Sequence, residues 1–322
     1  MNNIENIHKI GLAGLGLMGQ GISACLVAHG YEVIAYSRTR TREGEALMHI
    51  EHGLKKLIDR GIISEFENRD WKERFRYVGD LKELGESDFV IETVGEDLDL
   101  KRHVYGTLES VIGPDVVIGT NTSGMPVSLL QESLSNKQRF IGMHWGEPAE
   151  VSQYLEIAPG KETNQHTVDL TRMVGSSCSK VPTVLNFEVP GLISNRLMYA
   201  MMREAIHLLE SGVADIETID RSFRNDIGWW ATIFGPFRWM DLTGLKTYAK
   251  VMEGLFPDLS NKAELPGLMR EKAESGSLFY NYDKTSLEEW EEVWKDFTLD
   301  IREISLKYNR KINLDPPCPG KI

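Results

Sequence analysis

Gly14-Leu-Gly16-Leu-Met-Gly19 closes a short apolar run, Ile10 to Ala13, and opens a helix-like stretch that reaches His29. A G-x-G-x-x-G triplet between a strand and a helix leaves few choices of fold. The first glycine permits a tight turn, the second lets the backbone approach a bulky anion, and the third allows helix and strand to pack closely. The helix start adds unpaired N–H groups and a partial positive charge. Such a corner binds the pyrophosphate of a dinucleotide, with Gly14, Gly16, Leu17, Met18 and Gly19 as its contacts. A glycine-rich turn with no ligand is the bland alternative, and the strand-turn-helix order argues against it.

The first half continues as alternating strands and helices. Gly30 stops the helix and Tyr31–Tyr36 reads as a second strand, followed by β-rich runs at 88–93, 116–120, 140–144 and 154–158. Helical spacing at 100–111 and 127–134 separates them. This alternation predicts an α/β fold, a Rossmann doubly wound, mostly parallel sheet with helices on both faces. Residues 43–75 read as a charge-rich helical insertion that projects as a helical pair. The pattern changes near Val189-Pro190-Gly191, beyond which the chain reads as all-α. Trp290, Trp294, Phe297, Ile301 and Ile304 recur at helical steps, the expected stripe of a buried face. Two domains follow: 1–188 for the dinucleotide and 189–322 as a helical substrate and dimerisation domain. The closing DPPCPGKI is expected to be mobile.

Composition narrows the class. The 322 residues exceed one compact core, and 41% hydrophobic against 26% charged residues suits a folded chain. A formal charge of −12 argues against nucleic acid or an anionic membrane as partner, while leaving room for a locally bound anion. No apolar stretch of about 18 residues exists to span a membrane, and no basic-then-apolar leader opens the chain. Three cysteines, Cys25, Cys178 and Cys318, without CxxC spacing suit a reducing compartment, so a cytoplasmic protein is expected. His49 and His52 stand three apart without a third ligand nearby, which reads as a solvated helix face and not a metal site.

The end of the second strand bears on cofactor choice. An NAD site places Asp or Glu there to hold the ribose hydroxyls. This chain has Tyr36-Ser37-Arg38-Thr39-Arg40-Thr41-Arg42, with no carboxylate before Glu43. Ser37 removes the charge that would repel a 2′-phosphate and Arg38 could pair with one. The reading for NAD(P) therefore leans to NADP; the alternative is a solvated helix start beside a weakened NAD ribose contact.

Four later segments carry the chemistry: Thr120-Asn-Thr-Ser-Gly124, Gly142-Met-His-Trp-Gly-Glu-Pro148, Leu155-Glu-Ile-Ala158 and Gly191-Leu-Ile-Ser-Asn195-Arg196. Together they resemble the 3-hydroxyacyl-CoA dehydrogenase family over most of the chain. His144 stands 21 residues after Ser123, Glu156 12 after His144 and Asn195 51 after His144, as the family's Ser, His, Glu and Asn do. The resemblance implies hydride transfer between the nicotinamide and a C3 hydroxyl or oxo carbon. A neutral imidazole titrates near working pH, so His144 is the base, or the acid in reduction. Glu156 is expected to hydrogen-bond its other nitrogen, and Ser123 and Asn195 to donate to the substrate oxygen. IETVGEDLDLK adds Glu92, Glu96 and Lys101. Glu96 and Lys101 look like cofactor-side residues by resemblance, with an exposed helix lysine as the plain reading of Lys101.

The chain also departs from the family. Its acidic residue after the second strand is Ser37, the Asn of H-x-x-N-P is Glu147, and a cofactor-side lysine is Glu274, with Lys272 nearby. By offset, the family's Ser and Lys that contact CoA become Gly53 and Arg60. Trp229, Trp230, Phe234, Phe237 and Trp239 crowd a segment that, by resemblance, lies near the substrate; core or dimer-interface packing is the competing reading. The length suits the subgroup of gulonate and carnitine dehydrogenases, which act on small polar 3-hydroxy acids without CoA. The expected substrate is such an acid or its CoA thioester, and the expected assembly a homodimer. A β-hydroxyacid dehydrogenase would need a D-x-P-V-S-G-G segment and a lysine helix that do not occur. A non-catalytic, crystallin-like binder sits poorly with an intact Ser–His–Glu–Asn set.

Overall fold

β1 (Lys9–Ala13) pairs in parallel with β2 (Glu32–Tyr36) on one side and β4 (Phe89–Glu92) on the other. In the computed structural model, which describes residues 6–282 and 284–312, these strands belong to one eight-stranded sheet. The other strands are β3 (Phe75–Val78), β5 (Val117–Thr120), β6 (Phe140–Trp145), β7 (Tyr154–Pro159) and β8 (Val181–Val184), and the order is β3-β2-β1-β4-β5-β6-β7-β8. The chain runs outward from β1 to β3 and then crosses back to β4. Strand order thus reverses between β1 and β4, and the crevice at their carboxyl ends is where such sheets bind ligands. β1 to β6 are parallel; β7 runs antiparallel to β6, and β8 parallel to β7.

Burial explains the strand composition. Every residue of β4 and β5 is buried, the mark of strands covered by helices on both faces. α1 (Leu17–Ala28) is buried at each position from Gly19 to Ala28, so it lies inside and not on the surface. α2 (Thr41–Asp59) packs along α1 through Ala46, Ile50, Gly53, Leu54 and Leu57. The 43–75 segment therefore does not project as expected: its spaced apolar residues form one face that α1 covers. α3 (Glu65–Asn68) is one turn, and Arg74 then donates to the Val27 carbonyl at 3.1 Å and to Asn68 Oδ1 at 2.8 Å, tying the segment's end to α1. α4 (Leu98–Val111), α5 (Val127–Gln131) and α6 (Gln165–Ser177) complete the cover, α4 capped by Asp97 and α6 by Asn164.

The first compact unit ends at Leu192 and the second begins at Ile193. Gly191 and Leu192 both hold positive φ, +80° and +54°, at this junction. The second unit takes in α7 (Leu192–Glu210) after its first residue, α8 (Ile216–Asn225), α9 (Ile227–Ile233), α10 (Gly235–Thr243), α11 (Leu245–Leu255), α12 (Gly267–Ser275) and α13 (Lys284–Ile312), with no strand among its described residues. The stripe on α13 is not buried: Trp290 is 57% exposed, Trp294 50% and Phe297 52%, while Leu299 is the residue driven inside. Helical spacing put these rings on one face, but no element among the described residues covers it. Cys318 and the DPPCPGKI tail lie outside the described residues. No helix among those described is long and apolar enough to cross a membrane.

The three glycines have different physical reasons. Gly14 has φ +122°, and a Cβ there would sit 2.8 Å from the Thr93 backbone. A Cβ on Gly19 would fall 2.3 Å from the Gly14 carbonyl oxygen, whereas one on Gly16 would meet no atom within 4 Å. Gly19→Ala is expected to cost about 1–3 kcal/mol of overpacking, seen as a Tm lowered by several degrees. Gly16→Ala, where a poorer N-cap offsets a stiffer unfolded chain, should stay within about 1 kcal/mol of wild type. Equal melting curves for the two variants would refute this division of roles.

Candidate active site

The glycine corner opens toward the crevice. Gly14 donates its N–H to the Tyr36 carbonyl at 3.1 Å and takes the Thr93 hydroxyl on its own carbonyl at 3.0 Å, which locks β1, β2 and β4 together at their carboxyl ends. Gly16 caps α1 without a side-chain acceptor, and the first turn carries no acidic residue. The leading N–H groups of α1 thus face a surface where a Cβ finds open space, and Leu17 beside them is 58% exposed. These features fit a pyrophosphate.

At the end of β2, the Ser37 carbonyl accepts the Tyr77 hydroxyl at 2.8 Å and its Oγ accepts the Thr39 N–H at 3.2 Å, so Ser37 shapes the turn. Arg40 pairs with Glu43 at 3.9 Å and Arg42 with Glu45 at 2.5 Å. Arg38 is exposed and has no carboxylate partner among the described residues.

The β4–α4 connection holds a buried ionic cluster. Glu92 is fully buried and Lys101 is 1% exposed, with Nζ donating to both Glu92 oxygens at 2.8 and 2.9 Å. Lys101 is therefore not an exposed helix lysine. Glu92 also accepts Tyr105 Oη at 2.7 Å, Thr120 Oγ1 at 2.8 Å and the Val94 N–H at 2.6 Å. Burial first, then the Glu92 charge, pushes the Tyr105 phenol well above its ordinary range and keeps it a donor. Lys101 Nζ lies 3.6 Å from Glu96, which accepts Thr122 Oγ1 at 2.9 Å and the Ser123 N–H at 2.8 Å. One chain of charge and hydrogen bonds thus runs from the β4 end to the loop bearing Ser123.

His144 and Glu156 face each other directly across the antiparallel β6–β7 ladder, and their 12-residue separation is the length of that return. Glu156 Oε2 lies 3.6 Å from His144 Nδ1, too far for the expected hydrogen bond. The Tyr154 hydroxyl fills the gap, 3.1 Å from Nδ1 and 2.5 Å from Oε2. His144 Nε2 has no hydrogen-bond partner among the described residues. Asn121 Oδ1 accepts the Trp145 N–H at 2.8 Å, which fastens the Ser123 loop to the strand end carrying His144. Sequence reading missed both Tyr154 and Asn121. Tyr154 was visible in principle, because residues two apart on a strand share a face. Asn195 lies in the first turn of α7, within the second unit.

Other expected positions differ. His49 is not on a solvated face: its ring, 14% exposed, lies 3.2 Å from Glu150, and Glu150 itself is 3% exposed. Gly53 is buried beneath that same glutamate, with Glu150 Cγ 3.3 Å from where a Cβ would be. Glu147 is exposed after β6 and Lys272 donates to the Leu278 carbonyl at 2.8 Å. Trp230 and Trp239 stack at 5.4 Å and are half-buried, while Trp229 and Phe237 are 72% and 78% exposed, so those last two rings are not core. Free, buried Cys25 and Cys178 lie with His29 at the ends of α1 and α6, their donor atoms within 4.8 Å of one another.

Comparison with known proteins places this site in a family. Residues 9–188 match the 3-hydroxyacyl-CoA dehydrogenase NAD-binding domain and residues 191–285 that enzyme's C-terminal domain. The chain belongs to the 3-hydroxyacyl-CoA dehydrogenase family and is an oxidoreductase with that family's NAD-binding domain. A 5-formyl-3-hydroxy-2-methylpyridine 4-carboxylate 5-dehydrogenase of Mesorhizobium japonicum is 33% identical over 273 residues, 85% of this chain and 87% of that one. An L-carnitine dehydrogenase of Bacillus cereus is 28% identical over 330 residues, 98% of each chain. The crystal structure of a 5-formyl-3-hydroxy-2-methylpyridine 4-carboxylic acid 5-dehydrogenase, described as an NAD+-dependent dismutase, superposes with TM-score 0.86 at 29% identity, over 93% of this chain and 98% of that one.

The buried cluster gives a stability prediction. Lys101→Met strands the Glu92 charge and should cost about 3–5 kcal/mol. Lys101→Met with Glu92→Leu should recover much of that loss. Urea denaturation of the two variants checks this, and equal stability for both would contradict the ion-pair account.

Proposed function

We propose that this protein oxidises or reduces the C3 hydroxyl or oxo group of a small polar 3-hydroxy acid that does not carry CoA. The observation that carries the chemistry is the cross-strand pairing of His144 with Glu156 beside the Ser123 loop. Gly14, Gly16 and Gly19 would hold the pyrophosphate of the dinucleotide, which would supply the hydride acceptor for oxidation or the donor for reduction. His144 takes the hydroxyl proton at Nε2 during oxidation and returns it during reduction. Glu156 stabilises the resulting imidazolium, and Ser123 donates to the substrate oxygen as charge develops there. Glu96 and Lys101 orient the loops around the nicotinamide ribose. Asn195 is assigned to the substrate oxygen on the family resemblance alone.

Gly53 and Glu150 support a free acid over a thioester. By resemblance, position 53 is a CoA contact, but here it is a glycine packed against α1 and covered by a buried carboxylate. Position 53 offers CoA no side chain, which leaves Arg60 as the one resemblance-assigned residue that could still meet a phosphate. The relatives named for a pyridine carboxylate and for carnitine point the same way. For the cofactor, Ser37 and Arg38, which has no carboxylate partner among the described residues, favour NADP(H), although the matched domain and the superposed dismutase are described as binding or using NAD. The exposed apolar faces of the helical unit, such as Trp290, Val293 and Trp294 on α13, support a homodimer through that domain. Two buried free thiols suit a cytoplasmic setting.

Steady-state assays with NADH and NADPH against acetoacetyl-CoA and a panel of small 3-oxo acids test the reading. Turnover of a free acid with no comparable rate on the thioester is expected, and the reverse order would overturn it. Arg38→Ala should lower kcat/KM for NADPH about tenfold or more while leaving NADH nearly unchanged, the loss of one charge-assisted contact. An NADH preference of tenfold or more in the wild type would remove the 2′-phosphate argument. His144→Ala should abolish turnover with dinucleotide binding retained.

A further inference from the structure

We infer that Tyr154 is a positioning residue that joins His144 to Glu156, making the acid–base pair a chain of three groups. This rests on the assignment of His144 as the base. The register dictates the arrangement: Glu156 stands opposite His144, and Tyr154, two residues earlier on the same face of β7, reaches His144 diagonally. The two rings meet edge to face, with centroids 5.6 Å apart and planes at 89°.

Proton counting then fixes the roles. Ionised Glu156 can only accept, and the Tyr154 O–H donates to it at 2.5 Å. The phenol has no second proton, so at 3.1 Å its oxygen accepts from His144 Nδ1–H. Nε2 therefore carries the lone pair, the tautomer that a base needs. When Nε2 gains the substrate proton, the Nδ1–H bond stays in place and strengthens, because its donor is now charged. Glu156 acts on that charge from 3.6 Å, partly through the phenol.

A second observation shows that the chain is built around this ring. A Cβ on Gly146 would fall 2.7 Å from Tyr154 Cδ1. Gly146 is not among the glycines with positive φ, so its backbone does not require glycine; the Tyr154 ring does. Among charged groups on the adjoining segments, Glu147 is exposed in the turn after β6, and the Lys180 ammonium lies 5.2 Å from the centre of the Trp145 ring and donates to the Ala149 carbonyl.

Tyr154→Phe keeps the ring and removes only the oxygen. In the full-length protein, kcat should fall about tenfold or more, with KM for the dinucleotide unchanged. The acidic limb of the kcat/KM profile for oxidation should move to lower pH, since the imidazolium loses an acceptor. An unchanged kcat and profile, or a limb moved to higher pH because Glu156 takes Nδ1 directly, overturns the relay. Nitrogen NMR of the wild-type histidines gives a readout independent of turnover: His144 should be protonated at Nδ1, and the opposite tautomer sinks the inference. His144→Ala separates the two levels. Retained turnover there removes the base assignment and the relay with it. An inactive His144→Ala beside a wild-type-like Tyr154→Phe removes the relay alone.

Discussion

Glu92 is the group on which the geometry of the crevice depends. A carboxylate with no exposed surface is tolerable only when its oxygens are filled, and here an ammonium, a phenol, a threonine hydroxyl and a backbone N–H fill them. Those donors come from the β4–α4 connection, α4 and β5. The same residue thus anchors the strand at the point of order reversal and the helix that follows it. Lys101 then extends the chain to Glu96, and Glu96 to the Ser123 loop. Neutral side chains could fill this space. They would not set the β4–α4 connection and the Ser123 loop in one register.

The single antiparallel step in the sheet has a comparable role. β1 to β6 run parallel, an arrangement that collects loops at one edge and leaves facing residues on neighbouring strands far apart in sequence. Reversing direction at β7 brings the chain straight back along β6, so His144 and Glu156 become direct neighbours across a short return. A reactive histidine gains a rigid backbone position this way, held by ladder hydrogen bonds and not by a mobile loop. Asn121 secures the adjacent strand end, tying the Ser123 loop to the backbone next to His144.

Much of this was legible in the sequence because it is periodic or punctuated. The glycine triplet, the apolar runs that became β1, β4, β5 and β6, and the spacing of Ser123, His144 and Glu156 all appear as local patterns. What stayed hidden depends on contacts. β3 and β8, FRYV and VPTV, are no shorter than β4 and β5 but lack their continuous apolar run, one broken by Arg76 and the other by Pro182, and only their neighbours mark them as strands. Lys101 looks like any helix lysine until its partner Glu92, nine residues away, is seen to share the interior. His49 meets a carboxylate 101 positions on. The α13 stripe failed in the opposite sense: periodicity reports that residues share a face and says nothing about whether the chain covers it.

Gly53 and Gly146 show how an absent side chain can carry information about function. Neither needs a positive φ, so neither is explained by a turn. Each is held small by a neighbour: Glu150 over Gly53 and Tyr154 over Gly146. In the first case a buried carboxylate lies over a helix position that the family resemblance assigns to CoA. In the second an aromatic hydroxyl enters the space between the histidine and its glutamate. Both fill room with polar side chains from the β6–β7 return and its connecting loop. One segment thus sets both the His144–Tyr154–Glu156 contacts and the cover over α2 at Gly53, while the glycine corner at β1 is held separately by Tyr36 and Thr93.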